Sequence, residues 1–461
     1  MAARSDMVRT AARAAARAVA RLDSNARAGL GLRLARTAGP GPQPSPGGTN
    51  ISSHTRPQGA GAPAADAVPA TFRRVFAIGE FRALWLAQVL SVAGDQLARV
   101  ALTVLVFSRT HSALLAAVAF AASVVPASAG GLLLGGLADR FPRRAVMIVC
   151  DLLRAALVVV MAVPGMPLAA LVCLLAVVTM AGGPFLSARA ALYPDILPGD
   201  MYVLGNAVTM TTFQLAQAAG FVAGGAAVAL LGTGQALLLD AATFAASALL
   251  VALLVRRRPA ARTPRRDGTD LAGLRAGLRL VFGNPRLRLP MLLGWLAAFY
   301  NIPEGIAAPL AHDLGGGPAW VGLLLAAATF GASVGAIAFS RLVAPGRRLA
   351  LMGPLAVAAC AVLALFALGP GLGGAVAILA ACGLLDSYQV AASASFVTAA
   401  PAACRSQAFG VAQGGMNLAQ GIAMVAAGAL AQRFAPSDVV AAAGVVGAVV
   451  AAILLAASRG R

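Results

Sequence analysis

Hydrophobic residues are grouped along the chain into long runs, and short connections rich in arginine separate these runs. A run of about 20 apolar residues allows an α-helix to cross the hydrocarbon core of a bilayer. Twelve such runs follow one another, and we number them as segments one to twelve. Segments one to six lie near 83–107, 113–137, 145–164, 167–188, 202–231 and 236–255. Segments seven to twelve lie near 290–311, 319–340, 349–368, 373–398, 406–432 and 439–457.

One long connection, 256–289, divides the twelve segments into two sets of six. The pattern therefore predicts an all-α polytopic membrane protein whose twelve transmembrane helices form two six-helix bundles. We expect a disordered cytoplasmic tail rich in Arg, Ala, Pro and Gly, an N-terminal bundle, a basic cytoplasmic linker with an amphipathic helix, a C-terminal bundle and a short cytoplasmic C-terminus. Their boundaries are 1–70, 71–257, 258–288, 289–458 and 459–461.

The amphipathic helix of the linker rests on four apolar residues. Leu271, Leu274, Leu278 and Phe282 have the spacing of one helical face, and Thr269 or Asp270 can cap the helix. Such a helix can lie flat on the cytoplasmic leaflet. A simple basic linker is the alternative.

Composition agrees with a membrane protein, because 59% of the residues are hydrophobic and only 11% are charged. The net charge is +20, and all 36 basic residues are arginine. If both termini are cytoplasmic, 32 of the 36 arginines lie on that side and only Arg109 and Arg433 lie opposite. This asymmetry follows the positive-inside rule, so we expect a multi-pass protein of the cell (plasma) membrane. It also argues against nucleic acid as the partner of the positive charge.

The tail before segment one differs from the rest of the chain. Arg9, Arg13, Arg17 and Arg21 recur every four residues, and 39–69 is rich in Pro, Gly and Ser, which is typical of disorder. No apolar stretch follows the basic start, so a secretory signal peptide is not expected. A cytoplasmic tail or a misassigned start is favoured over an organellar transit peptide.

Signals for enzymatic chemistry are missing from the sequence. There is no phosphate-binding Walker loop, and the histidines and cysteines form no cluster with metal-ligand spacing. We therefore expect no enzyme activity, no catalytic residue, no cofactor and no metal. The residues concerned are His54, His111, His312, Cys150, Cys173, Cys360, Cys382 and Cys404.

The connection between segments two and three reads GGLADRFPRR from Gly135 to Arg144. It resembles the signature loop of the major facilitator superfamily, with Pro142 where the family usually has Gly. The resemblance implies a cytoplasmic gate in which Asp139 pairs with arginines or with the positive end of a neighbouring helix. The gate residues would be Gly135, Asp139, Arg140, Arg143, Arg144, Asp151 and Arg154.

Segment five carries a second resemblance to this superfamily. Gly220, Gly224 and Gly225 resemble its antiporter motif, with Phe221 in place of the usual Pro. The glycines would permit close helix packing. The pattern Phe81-Arg82 to Arg99, Asp151 to Arg154 and Asn284-Pro285 is similar to the drug:proton antiporter branch that includes macrolide-efflux and enterobactin-exporter proteins.

Five carboxylates fall within predicted segments: Asp95, Asp151, Asp240, Glu304 and Asp386. An ionised group in the bilayer costs several kcal/mol, so such residues normally face a cavity or a partner. Asp95 lies four residues from Arg99 and Asp151 three residues from Arg154, so each pair shares a helical face. A structural or gating role is therefore open beside proton transfer.

Glu304 has no basic residue within four positions on segment seven. Aligning Phe81-Arg82 with Leu287-Arg288 places Asn301 opposite Asp95 and Glu304 one turn further. In this superfamily segments one and seven normally line the cavity. We expect Asp95, Arg99, Asn301, Glu304 and Asp386 to be the candidates for proton or substrate contact, although Asp386 also fits a hydrogen bond between helices.

Together these features predict a monomeric secondary transporter that exports a lipophilic or amphipathic small molecule, such as a drug, siderophore or secondary metabolite. Protons and membrane lipids would be its other partners, and alternating access its mechanism. Two alternatives stay open. One is a metabolite or sugar uptake symporter, whose cavity should contain Trp and many hydrogen-bonding side chains, and the other is a membrane scaffold or sensor without transport activity.

Overall fold

The computed structural model describes residues 71–258, 271–401 and 404–459, and these residues are almost entirely helical. The tail and the residues Thr269 and Asp270 lie outside the described part, as do the last two residues of the chain. Among the described residues no β-strand is present. The helices are Phe72–Ala77, Gly79–Thr110, Ala113–Leu134, Leu137–Arg140, Arg143–Met161, Leu168–Ile196, Asp200–Leu231, Thr233–Leu254, Leu271–Gly283, Pro285–Trp295, Ala297–Tyr300, Ile302–Gly305, Ala307–Asp313, Pro318–Leu342, Pro345–Ala361, the 3-10 helix Val362–Leu368, Leu372–Leu385, Tyr388–Ala399, Arg405–Leu430 and Pro436–Arg459.

Nine helical stretches in the described ranges are long and apolar enough to cross a membrane. They coincide with nine of the predicted segments, which confirms the polytopic helical fold. The other three segments are also helical, but each has a local feature that lowers its apolar length. Segment three carries charged residues, segment seven is interrupted, and segment eleven contains Gln413, Asn417 and Gln420.

Segment seven is four short helices, so the single helix predicted near 290–311 is wrong in this respect. Pro303 and Pro309 have no N–H and cannot donate the usual helical hydrogen bond. Segment ten stabilises the carbonyl groups before the break: Tyr388 Oη donates to Leu293 O at 2.9 Å, and Gln389 Nε2 donates to Gly294 O at 3.1 Å.

The N-terminal half (segments one to six) meets the C-terminal half (segments seven to twelve) mainly through two helix pairs. Segment five packs on segment eight, and segment two packs on segment eleven. At the first pair the backbones touch, since a Cβ added to Gly322 would lie 2.3 Å from Phe221 O. At the second pair, Gln432 Nε2 donates to Ser112 Oγ at 2.8 Å. These contacts lie towards the arginine-poor ends of the helices.

One boundary differs from the sequence-based expectation. Segment four continues as a helix to Ile196, so Arg189 is a buried helical residue and is not in a connection. The linker helix Leu271–Gly283 forms, and its Val281 is buried in a cluster with Phe396 and Val411 of segments ten and eleven. Leu278 and Phe282 remain exposed, while the side chains of Leu271 and Leu274 lie outside the described part.

Candidate functional site

Arg154 is the centre of a buried polar cluster in the N-terminal half. Its side chain is 2% exposed and forms an ion pair with Asp95 of segment one. It also donates to Ser91 Oγ at 2.9 Å and lies 3.5 Å from Asp151 Oδ1. The guanidinium stacks on the ring of Phe244, 4.0 Å from its centroid. Arg154 therefore connects segments one, three and six.

The spacing of charges anticipated only part of this cluster. Asp151 does lie beside Arg154, and Ser247 Oγ donates to its second oxygen at 2.5 Å. The ion pair of Asp95 is made with Arg154, whereas the i,i+4 spacing had suggested Arg99. Arg99 donates instead to Gln96 Oε1 at 3.1 Å and to Ser123 O at 3.4 Å.

Asp240 is a third carboxylate of the same cluster, and the sequence did not mark it as a site residue. It is fully buried on segment six and interacts electrostatically with Asp95 and Arg154. Its Oδ2 has no hydrogen-bond partner among the described residues. Gly94 makes the close approach possible, because a Cβ there would lie 2.3 Å from Asp240 Oδ1. Three carboxylates thus surround one buried guanidinium.

The Arg154→Met substitution is expected to lower stability by about 3–5 kcal/mol, since it leaves buried carboxylates without their partner. Thermal unfolding of the purified protein in detergent measures the loss. Arg143→Met is the matched control: its ion pair with Asp195 spans 2.7 Å but is 20% and 43% exposed. Such a pair contributes about 1 kcal/mol or less. Equal losses in the two variants would contradict the structural role of Arg154.

Arg99 also interacts electrostatically with the other half, although it forms no ion pair there within 4.0 Å among the described residues. The charge of Arg99 interacts with Glu304 of segment seven as well as with Asp95. Glu304 is partly buried, one turn beyond Asn301. The sequence presented Glu304 as unpaired because its cation lies on another helix in the other half.

In the C-terminal half, Asp386 accepts a hydrogen bond from Tyr300 Oη. Gln389 Nε2 donates to the same hydroxyl at 2.8 Å, and the Tyr388 hydroxyl lies 3.4 Å from it. Asp386 also interacts electrostatically with Glu304. This network joins segments seven and ten. Asp386 therefore forms the hydrogen bond between helices that was one of its two expected roles. It also lines a pocket.

A pocket lies beside these groups in each half. The pocket of the N-terminal half has a volume of about 210 Å³ and includes Asp95, Arg99 and Arg154 in its wall. The pocket of the C-terminal half has a volume of about 320 Å³, and Asn301 and Asp386 belong to its wall. The wall also contains aromatic and amide side chains, which the sequence did not identify as a set: Trp295, Phe396, Phe409, Gln389, Gln413 and Gln420.

The loop expected to form the gate contacts neighbouring helices. Arg143 Nη1 donates to Ala191 O at 2.8 Å, and Arg144 Nε donates to Val251 O at 3.3 Å. A Cβ added to Gly135 would lie 3.1 Å from Ser187 Oγ of segment four. Arg140 is exposed, and the side chain of Asp139 lies outside the described part.

The glycines of segment five contact two different helices. A Cβ on Gly220 would lie 2.7 Å from Ala93 O, and one on Gly224 would lie 2.9 Å from Leu97 Cα, both in segment one. Gly225 instead faces the other half, where a Cβ would lie 2.9 Å from Gly322 Cα. Segment five therefore packs within its own half and across to the other.

Comparison with known proteins agrees with this architecture. The chain is similar to the multidrug efflux pump Tap of Mycolicibacterium fortuitum, with 30% identity over 263 residues. That match covers 54% of this chain and 63% of Tap, which is less than two thirds of the relative.

Solved structures of transporters share the fold at low sequence identity. A POT family transporter in complex with a thioalcohol-conjugated peptide superposes with a TM-score of 0.65 at 14% identity, covering 82% of this chain and 96% of its own. A bacterial homologue of the human lysosomal transporter Spinster, in an inward-facing and occupied conformation, gives 0.62 at 15% identity, covering 85% and 98%. The family model of the Major Facilitator Superfamily matches residues 84–384. The chain belongs to the major facilitator superfamily, and it is a multi-pass membrane protein.

Proposed function

We propose that this transporter exports a lipophilic or amphipathic small molecule in exchange for protons, as a monomer in the plasma membrane with both termini in the cytoplasm. The similarity to a multidrug efflux pump supports the outward direction. The one-sided distribution of arginines supports the orientation. Contacts between the halves at the arginine-poor ends correspond to a carrier closed on the outside, one of the two states of alternating access.

The electrostatic interaction between Arg99 and Glu304 carries the proposal. Arg99 lies in the wall of the N-terminal pocket, and Glu304 lies one turn beyond Asn301 of the C-terminal pocket wall. An ionised Glu304 attracts Arg99 across the two halves and so stabilises the state closed on the outside. A proton on Glu304 removes this attraction, and a cationic or polar group of the cargo can replace it. The proton and the cargo compete for one carboxylate. The empty carrier therefore remains in the conformation closed on the outside, whereas the carrier loaded with either the proton or the cargo can change conformation. Competition of this kind is what obligatory exchange requires.

A mixed pocket wall supports an amphipathic cargo. Trp295, Phe396 and Phe409 offer aromatic surface in the pocket of the C-terminal half, and Asp386 and Gln389 offer polar groups. Aromatic faces attract both apolar rings and cations. This wall can therefore hold molecules of differing shape.

Uptake of a polar metabolite is the second candidate, because one observation favours it. Trp295 and the amides Gln389, Gln413 and Gln420 line the same pocket. A tryptophan and several hydrogen-bonding side chains are what the uptake alternative requires. A symporter would carry its cargo and the proton in the same direction.

Flux into proteoliposomes distinguishes the two candidates. With an acidic lumen, molecules whose cytoplasmic face points outward should accumulate ethidium, used as an amphipathic probe. One proton exchanged per ethidium gives about tenfold accumulation for each pH unit. Uridine, used as a polar probe, should show no gradient-driven movement. Accumulation of uridine in vesicles with an alkaline lumen, without ethidium transport, would favour uptake, and flux of neither probe would favour the scaffold.

A further inference from the structure

A third pocket lies at the arginine-rich end of the C-terminal half, away from the groups discussed above. It has a volume of about 320 Å³ and is formed where segment seven begins and segment twelve ends. Its wall changes character from charged to apolar along segment seven. The lining residues are Pro285, Arg286, Arg288, Leu289, Leu292, Leu454, Ala457 and Ser458.

Two arginines form the charged part of this pocket. Arg286 is exposed and Arg288 is partly exposed, and neither forms an ion pair within the described ranges. The apolar part of the wall comes mainly from the partly buried side chains of Leu289, Leu292 and Leu454, which belong to both helices. Two cations without an ion pair in the part of the chain that the structure describes, above an apolar groove, have the polarity of a phospholipid binding site.

The internal repeat supplies an independent comparison. The alignment of Phe81-Arg82 with Leu287-Arg288 places Glu80 opposite Arg286. Phe81 and Leu287 are both fully buried at the start of their segments, which agrees with this alignment.

In the N-terminal half, the protein neutralises its own cations at this position. Glu80 Oε2 lies 2.7 Å from Arg258 Nη2, and the backbone N–H of Arg256 donates to Glu80 Oε1 at 2.8 Å. Both arginines follow the end of segment six, so a protein carboxylate joins segments one and six. The equivalent joint between segments seven and twelve has an arginine, Arg286, in place of that carboxylate. An anion from outside the chain would complete it.

We propose that this pocket binds an anionic phospholipid of the cytoplasmic leaflet. The phosphate lies between Arg286 and Arg288, and an acyl chain follows Leu289, Leu292 and Leu454 towards the bilayer centre. Arginine forms charge-assisted hydrogen bonds with phosphate oxygens. Basic pockets between transmembrane helices on the cytoplasmic side are suited to anionic headgroups. The bound lipid joins the first turns of segment seven to the end of segment twelve, as Glu80 does for segments one and six.

Native mass spectrometry of the detergent-purified transporter tests this site. After equilibration with equal amounts of phosphatidylglycerol and phosphatidylcholine, the parent should retain phosphatidylglycerol preferentially. The double variant Arg286→Gln/Arg288→Gln should lose about tenfold or more of this retention. Arg286→Lys/Arg288→Lys keeps the charge and should retain most of it. The matched control is Arg341→Gln/Arg347→Gln, which removes two exposed arginines elsewhere in the same half and should bind as the parent does.

Three results would overturn the proposal. The Gln double variant could retain as much phosphatidylglycerol as the parent, or the control could lose as much as the Gln variant. Excess glycerol phosphate, which has no acyl chain, could displace the lipid completely, and the site would then be one for soluble phosphate. Circular dichroism of each variant establishes that the helices are intact. None of these outcomes depends on the transported cargo or on its direction.

Discussion

Replacing Glu304 with Gln is expected to abolish the accumulation of cargo that a pH gradient drives. Glutamine keeps the shape of the side chain but can neither bind nor release a proton. It also carries no charge, so it cannot attract Arg99 across the two halves. Accumulation of ethidium should fall from about tenfold for each pH unit to the level of protein-free vesicles. Exchange of labelled for unlabelled ethidium without a gradient should continue at a lower rate, because the aromatic side chains of the pocket still bind the probe after its carboxylate partner is lost.

Asp313→Asn is the matched control for this experiment. Asp313 ends the last short helix of segment seven and is exposed, so its loss removes a carboxylate without touching Arg99. The control should accumulate ethidium as the parent does. If Glu304→Gln keeps its response to the gradient while Asp95→Asn loses it, the proton site belongs to the cluster around Arg154 and the proposed role of Glu304 is wrong.

Hydropathy was sufficient to locate the helices because a bilayer imposes one length on every spanning helix. Hydropathy did not predict where a helix is interrupted, because it averages over a whole segment. Segment seven has the composition of one helix, yet Pro303 and Pro309 interrupt the backbone bonds and Tyr388 and Gln389 of segment ten stabilise the result. A segment-by-segment pattern contains no information about partners supplied by another helix.

In the candidate site, residue spacing likewise predicted contacts within one helix but not contacts between helices. The spacing of Asp151 and Arg154 anticipated a contact within one helix, which the structure contains. Residue spacing could not identify Arg154 as the partner of Asp95 or Arg99 as the cation near Glu304, because those contacts join different helices. The buried position of Asp240 depends on the absence of a side chain at Gly94. The sequence contains 51 glycines, so it does not identify Gly94 as the one that Asp240 approaches.

The buried carboxylates of the two halves therefore have different kinds of partner. In the N-terminal half, Asp95, Asp151 and Asp240 surround Arg154, so that half holds its helices together around one cation. The C-terminal half has carboxylates but relies on neutral partners such as the Tyr300 hydroxyl. Arg99 of the first half interacts electrostatically with Glu304 of the second. In the proposed mechanism, a proton on Glu304 would therefore change the interaction between the halves more than the stability of either one.

Replacing Gly322 with Leu is expected to stop transport by preventing closure at the arginine-poor ends. Added side-chain atoms would begin 2.3 Å from Phe221 O and 2.9 Å from Gly225 Cα. Both are backbone atoms of segment five, which cannot move aside as a flexible side chain could. Since alternating access requires this end to close once in each cycle, ethidium flux should fall to background. A Ser112→Cys/Gln432→Cys pair should react with a short thiol crosslinker in the parent and react about tenfold less with Gly322→Leu present.

Gly410→Leu provides the matched control, because Gly410 is also helical and nothing lies within 4 Å of an added Cβ. It should crosslink and transport as the parent does. Gly225→Ala adds a single carbon at the same contact and should reduce crosslinking by a smaller amount, so the test stands even if Gly322→Leu fails to fold. Parental crosslinking in a folded Gly322→Leu protein would show that the two halves do not need this glycine contact to close. Graded loss from Gly225→Ala to Gly322→Leu, with helical content unchanged, would identify backbone contact between segments five and eight as the outer closure of the carrier.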